Sequence, residues 1–209
     1  STHLAPTVAS GQTLADHDTV DRETAAKFHG IVLREARRLQ SLVQDLMSLS
    51  RIEAEKHVRP RERVDLGELA ASVASGMGDG RVTLERGNEP AVIEGDRGQL
   101  DQLLRNLVDN ALKYGDPDEP VRIALESRNG EVVLSVADGG PGIALLHLPH
   151  LTRRFYRTDP GRSRASGGTG LGLAIVKHIV ERHRGKLDIA SKLGEGTTVS
   201  VRYDAAMAD

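Results

Sequence analysis

With 209 residues, 38% of them hydrophobic and 28% charged, the chain can build one good-sized core or two small ones. A net charge of -2 gives no general drive toward nucleic acid or anionic lipid, and the absence of cysteine excludes disulfides, thiol chemistry and Cys-ligated zinc. No run approaches the ~18 apolar residues a membrane helix needs, and Ser1 to Pro6 lacks the order of a signal peptide, so a soluble, cytoplasmic chain is expected.

Leu4, Val8, Gly11 and Ala15 recur at near-helical spacing, and His17-Asp18-Thr19 reads as a turn. From Asp21 to about Glu55 there is no proline and one interior glycine, Gly30. Phe28, Val32 and Ala36, then Leu39, Leu42, Leu46 and Leu49, follow the three-four spacing of a heptad seam. This predicts one helix roughly 50 Å long, at about 1.5 Å per residue. A lone hairpin cannot bury both of its faces, so residues 1–58 are expected to pair with a second copy as a homodimeric four-helix bundle.

After Arg59-Pro60-Arg61 the pattern shortens, and a second domain is expected over 62–205. Asp65 with Glu68 opens a helix to about Ser75, followed by strand-like Val82 to Glu85 and Ala91 to Ile93. Asp96 with Gln99 forms a capping-box signature before a helix whose Leu100, Leu103, Leu104, Leu107, Val108, Ala111 and Leu112 share one apolar face. Val121 to Glu126 and Glu131 to Ala137 form a hairpin around Ser127-Arg128-Asn129-Gly130, and Lys186 to Ala190 with Thr197 to Arg202 form another around Gly194-Glu195-Gly196. The fold class is thus α+β, a helical hairpin followed by an α/β sandwich with helices on one face of a mixed sheet.

Three segments carry chemistry. Asn106, Asn110 and Lys113 fall at i, i+4 and i+7 on the polar side of the leucine-rich helix, with Tyr114 at its border. Asn costs up to about 0.7 kcal/mol relative to Ala in a helix, so two of them on one arc are not a propensity choice. A solvated face and a site for Mg²⁺ and phosphate both fit, since an Asn carbonyl suits a hard cation and Lys balances phosphate charge. Next, the strand ending at Asp138 leads into Gly139-Gly140-Pro141-Gly142; the carboxylate can accept from an exocyclic amine such as adenine's while glycines let a flat ring approach. Last, Gly167-Gly168-Thr169-Gly170-Leu171-Gly172 runs straight into an apolar helix, and free amides at a helix N-terminus attract phosphate. It has neither the Gly-Lys-Ser/Thr ending of a Walker loop nor the context of a dinucleotide fingerprint. Between the glycine turns, Ile143 to Gly170 holds Arg153, Arg154, Arg157, Arg162 and Arg164 and reads as a triphosphate lid.

In order and spacing, Asn106 to Tyr114 resembles the N box, Asp138 to Gly142 the first glycine box, Arg154-Phe155-Tyr156-Arg157 the F box and Gly168 to Leu173 the second glycine box of bacterial sensor histidine kinases. These belong to the wider gyrase, Hsp90, histidine kinase and MutL ATPase superfamily. The resemblance runs from about Asp65 to Tyr203, and Leu46 to Ala54 is similar to the second helix of the family's dimerisation and phosphotransfer domain. It implies ATP and Mg²⁺ as cofactors, with Asn110 holding Mg²⁺, Asn106 and Lys113 meeting phosphates, Tyr114 packing on adenine and Asp138 taking its amine. Gly140 and Gly142 would shape the pocket. Gly168, Thr169, Gly170, Leu171, Gly172 and Arg157 would serve the phosphates.

The family's His-Glu-Leu-Arg-Thr-Pro-Leu phosphoacceptor motif is not present as such. One alignment makes His3 the phosphoacceptor with Thr7 four residues on; the other matches Thr2-His3-Leu4 to Thr-Pro-Leu and puts the histidine before residue 1. The resemblance implies a two-component protein-histidine kinase that phosphorylates a bundle histidine and passes the group to an Asp of a response-regulator receiver domain. A scaffold or histidine phosphotransfer module that binds ATP without autophosphorylating is the alternative, and a serine kinase of the anti-sigma type is a third. No sensor segment is recognisable, which points to a part of a larger, membrane-anchored kinase.

Overall fold

The computed structural model describes residues 22–55, 57–158 and 169–206. The expected first helix of the hairpin, with His3, and the lid arginines Arg162 and Arg164, with Gly168, lie outside them.

Helix α1, Arg22–Ala54, is the long helix of the heptad seam. Leu39 is 49% and Met47 68% exposed, whereas Leu49 and Ile52, nearer its C-terminal end, are each 2% exposed and join the main core. The last leucine of the seam therefore faces the downstream domain, not a bundle partner.

Strand β1, Glu62–Asp65, pairs antiparallel with β3, Val92–Gly95, as a small separate sheet. Between them come α2, Leu66–Gly76, and β2, Val82–Arg86. The Asp65 carboxylate caps α2 by accepting from the amides of Gly67 and Glu68. Helix α3, Arg97–Tyr114, follows, capped by Asp96 through the Gln99 amide at 3.0 Å. Only half of the expected capping box forms: the Gln99 side chain turns inward, and its Oε1 is buried with no partner among the described residues.

Strands β4, Val121–Arg128, and β5, Glu131–Asp138, form the first hairpin. Strand β4 runs two residues further than expected and β5 one, and the turn is made by Asn129 and Gly130 alone, both at positive φ (55° and 78°), the geometry that matches strand twist. After a 3₁₀ turn at Leu148–His150 come α4, Gly172–Arg182, then β6, Lys186–Lys192, and β7, Gly196–Asp204. The main sheet has the order β2-β4-β5-β7-β6, with β2 and β4 parallel and the other pairs antiparallel.

Alternation decides which face is covered. Val121, Ile123 and Leu125 of β4, Val132, Leu134 and Val136 of β5, and Val201 and Tyr203 of β7 are buried, with Arg122 and Glu126 exposed between them. Against this face pack Leu69 and Val73 of α2, Leu103, Leu104 and Leu107 of α3, and Ile175, Val176 and Ile179 of α4. One layer of three helices on a mixed sheet is the expected α/β sandwich.

Candidate functional site

Helix α3 is the ruler of the site. Its apolar stripe is buried from Leu100 to Ala111, which leaves Asn106 and Asn110, half-buried, and Lys113, exposed, on the other side. At its C-terminal end, a Cβ on Gly115 would lie 3.0 Å from Cβ of Asp138, so the acid that ends β5 sits beside the end of α3. Nearer its middle, a Cβ on Gly172, the first residue of α4, would lie 3.7 Å from both Asn106 Oδ1 and Asn110 Nδ2. Asp138 and the start of α4 are thus separated by a stretch of α3 that runs from Asn106 or Asn110 to Gly115, roughly 8–13 Å at about 1.5 Å per residue.

At the first end, the Asp138 carboxylate is half-buried and accepts from the Gly140 amide at 2.9 Å. Desolvation raises its pKa above the ordinary carboxylate value, against the lowering by the Gly140 and Thr197 amides. Tyr114, the neighbour in sequence of Gly115, is 45% exposed. The glycines of this turn are required by the protein's own backbone. A Cβ on Gly140 would sit 2.6 Å from the Tyr114 carbonyl oxygen, and one on Gly142, at φ +69°, would overlap the Lys192 carbonyl. Close packing of the turn against α3 and the β6–β7 hairpin, more than room for a ring, is what excludes side chains here.

At the other end, Leu171 precedes α4 without a side-chain cap, which leaves first-turn amides available to an anion. The Thr169 hydroxyl accepts from the Leu171 amide at 3.2 Å and donates to the Asp45 carboxylate of α1 at 2.8 Å. Gly170, at φ +74°, has its carbonyl taken by the Phe155 amide at 2.9 Å, which joins a point midway along the lid to its end. Asn106 Nδ2 is buried without a partner among the described residues, as are Nε and Nη2 of Arg157. Lys113 is held by Asp109 at 2.5 Å, a surface pair on one helix turn that costs little to break.

A profile of the "Histidine kinase-, DNA gyrase B-, and HSP90-like ATPase" family matches residues 95–207, more than half of the chain and the whole of the site just described. The chain belongs to this family. Its catalytic unit is accordingly an ATP-binding one, and the helix-on-sheet architecture is the family's fold. Among curated relatives, the phosphate regulon sensor protein PhoR of Pseudomonas aeruginosa is 39% identical over 180 residues, 83% of this chain and 40% of PhoR. The chain spans less than half the length of such relatives. Among solved structures, the mycobacterial sensor histidine kinase MprB superposes with a TM-score of 0.60 at 28% identity, covering 70% of this chain and 99% of MprB. The Acinetobacter baumannii histidine kinase AdeS superposes over 99% of this chain and 96% of its own with a TM-score of 0.75; at 23% identity that likeness bears on the fold alone.

Among the expected site residues inside the described segments, Asn106 and Asn110 lie beside Gly172, Asp138 and Gly140 lie at the Tyr114–Gly115 end of α3, Gly142 packs against Lys192 instead, and Gly170 meets Phe155. The residues that sequence reasoning missed are on α1. Asp45 meets Thr169, Ser48 donates to Gln102 at 2.7 Å, Glu53 pairs with Arg154 and lies 3.8 Å from His178, and Glu55 pairs with Arg182 at 3.0 Å. Each is one polar residue among many on a charged helix, and no local pattern marks it.

Proposed function

We propose that the chain is the dimerisation and kinase part of a two-component sensor histidine kinase, with residues 1–58 forming the homodimeric bundle and 62–205 the ATP-binding domain. The observation that carries this is the polar side of α3, with a carboxylate at one end and an uncapped helix start roughly 8–13 Å along it. In this reading Asp138 accepts the adenine amine, Tyr114 covers the ring, and Asn106 Nδ2, Lys113 and Arg157 meet the phosphates with the amides from Gly168 to Gly172. Asn110 offers its carbonyl oxygen to Mg²⁺, which when bound neutralises charge between phosphates. The orphaned Asn106 and Arg157 nitrogens fit a site that an anion completes. The chain's own contribution is positioning: one rigid helix fixes the distance from base to phosphate, so that a histidine of the bundle can attack the terminal phosphorus in line. A response-regulator Asp then receives the group. The apolar residues of α1 left exposed, Leu39, Val43 and Met47, support pairing with a second copy.

Incubation with γ-labelled ATP, followed by acid treatment, tests the reading. Acid-labile label on the protein is the expected result; acid-stable label points instead to a serine kinase, and binding without label to a nucleotide-binding scaffold. Asn110→Asp should abolish Mg²⁺-dependent nucleotide binding or turnover, and unchanged affinity and turnover would remove Asn110 from the metal site.

A further inference from the structure

Asp45 is a carboxylate placed where phosphate is expected. It belongs to α1, yet its Oδ2 accepts the Thr169 hydroxyl at 2.8 Å, and the same hydroxyl accepts the Leu171 amide at 3.2 Å, so the acid lies one side chain away from the uncapped start of α4. The Lys113 ammonium and the Asp109 carboxylate are within electrostatic reach of it. Its position is not that of a loose side chain. Leu49 and Ile52 bury α1 in the core on one side, Ser48 is bonded to Gln102, and Glu53 holds Arg154 midway along the lid while Asp45 holds Thr169 near its end. The docked helix therefore grips the lid at two points and presents a negative charge beside Thr169. Burial raises the pKa of this carboxyl, against lowering by the Thr169 hydroxyl and then Lys113, which marks a charge set down in a poorly solvated place.

We propose that Asp45 is an internal competitor for the terminal phosphates of the nucleotide: while α1 is docked it occupies the Thr169 hydroxyl and opposes anions at the start of α4, and full-strength phosphate binding requires α1 to withdraw it. The inference rests on the nucleotide reading of the site. Displacement of α1 and nucleotide affinity are thereby coupled through one carboxylate, with no need for the groove itself to change shape. The penalty is electrostatic, so it grows with phosphate number and leaves the nucleoside untouched.

Calorimetric titration of the full chain at about pH 8, where a carboxyl is ionised, separates the possibilities. Asp45→Asn, which keeps the size and hydrogen-bonding capacity, is expected to tighten ATP on the order of tenfold, ADP less and adenosine not at all, with the gain shrinking as salt rises. Asp45→Glu, which restores the charge, should return ATP affinity toward that of the unaltered chain. ATP affinity unchanged or weakened in Asp45→Asn overturns the proposal, and so does an equal gain for adenosine, which would mean that the groove had merely opened. If no form binds ATP or adenosine, the nucleotide reading falls first and this inference with it.

Discussion

Gly142 and Gly194 offer a matched pair of perturbations. Both have left-handed backbone, φ +69° and +80°, but a Cβ at Gly142 would overlap the Lys192 carbonyl and come within 3.0 Å of Leu193 Cα, whereas at Gly194 nothing lies within 4 Å. Alanine at either site incurs the conformational penalty, about 1–2 kcal/mol. At Gly142 the new methyl must in addition push backbone against backbone, for which overpacking costs suggest a further ~1–3 kcal/mol. Gly194→Ala should therefore lower the unfolding free energy by about 1–2 kcal/mol and Gly142→Ala by about 2–5 kcal/mol, read as midpoint shifts in urea with unchanged slope. The functional readouts should diverge as well. Relief of the clash at Gly142 must disturb the bonds from the Gly194 amide to the Pro141 carbonyl (2.9 Å) and from the Ile143 amide to Ser191 Oγ (2.8 Å), and with them the turn that orients Asp138. ATP affinity should fall in Gly142→Ala and stay constant in Gly194→Ala. Equal stability losses, or a destabilised Gly142→Ala with unaltered affinity, would refute the claim that packing against the β6–β7 hairpin shapes the Asp138 turn.

Ile52→Ala should cost about 2–5 kcal/mol as a core truncation, while Leu145→Ala, 77% exposed and away from the α1 face, should stay within about 0.5 kcal/mol in urea unfolding. Leu39→Ser combined with Val43→Ser should weaken self-association in sedimentation velocity and leave ATP affinity unaltered; undiminished association would remove this face from the dimer contact. His183 is buried neutral, Nδ1 bonded to the Ile179 carbonyl at 2.8 Å and Nε2 accepting the Asp96 amide at 2.9 Å, and desolvation holds its pKa below 6.5. The unfolded chain then takes up a proton that the folded chain refuses, so this contribution to stability is complete above about pH 6.5 and is lost as pH falls through the folded value. Urea midpoints that do not decline between about pH 7.5 and 5.5 would contradict it.

The parts of the fold set by neighbours in sequence were legible. Period-two alternation gave the four long strands, and Asp65 and Asp96 marked two helix starts that the structure confirms with amide bonds. The convergence of α3 with both glycine turns could be inferred only because three separate motifs pointed to one ligand. Illegible was everything decided by tertiary proximity. Leu49 continues a heptad seam in sequence, yet it is buried against the catalytic core because α1 docks there. Gln99 satisfies a capping pattern, but its side chain is drawn inside. Glu55–Arg182, Glu53–Arg154 and Asp45–Thr169 join residues more than a hundred positions apart, and at such separation a charge carries no signature of the partner it will meet.

The bond from the Phe155 amide to the Gly170 carbonyl ties a point midway along the lid to its last residue. Closure entropy is therefore already spent at this neck, and it grows only slowly with contour, by about 0.6 kcal/mol for each doubling of length. Insertions or deletions between Arg157 and Thr169 should leave the sheet and helices in register, provided that Arg157, with its buried nitrogens, and Thr169, bonded to Asp45, are kept. Arg157 and Thr169 are accordingly the natural splice points for exchanging this stretch between members of the family, a graft just inside a junction whose two halves already touch.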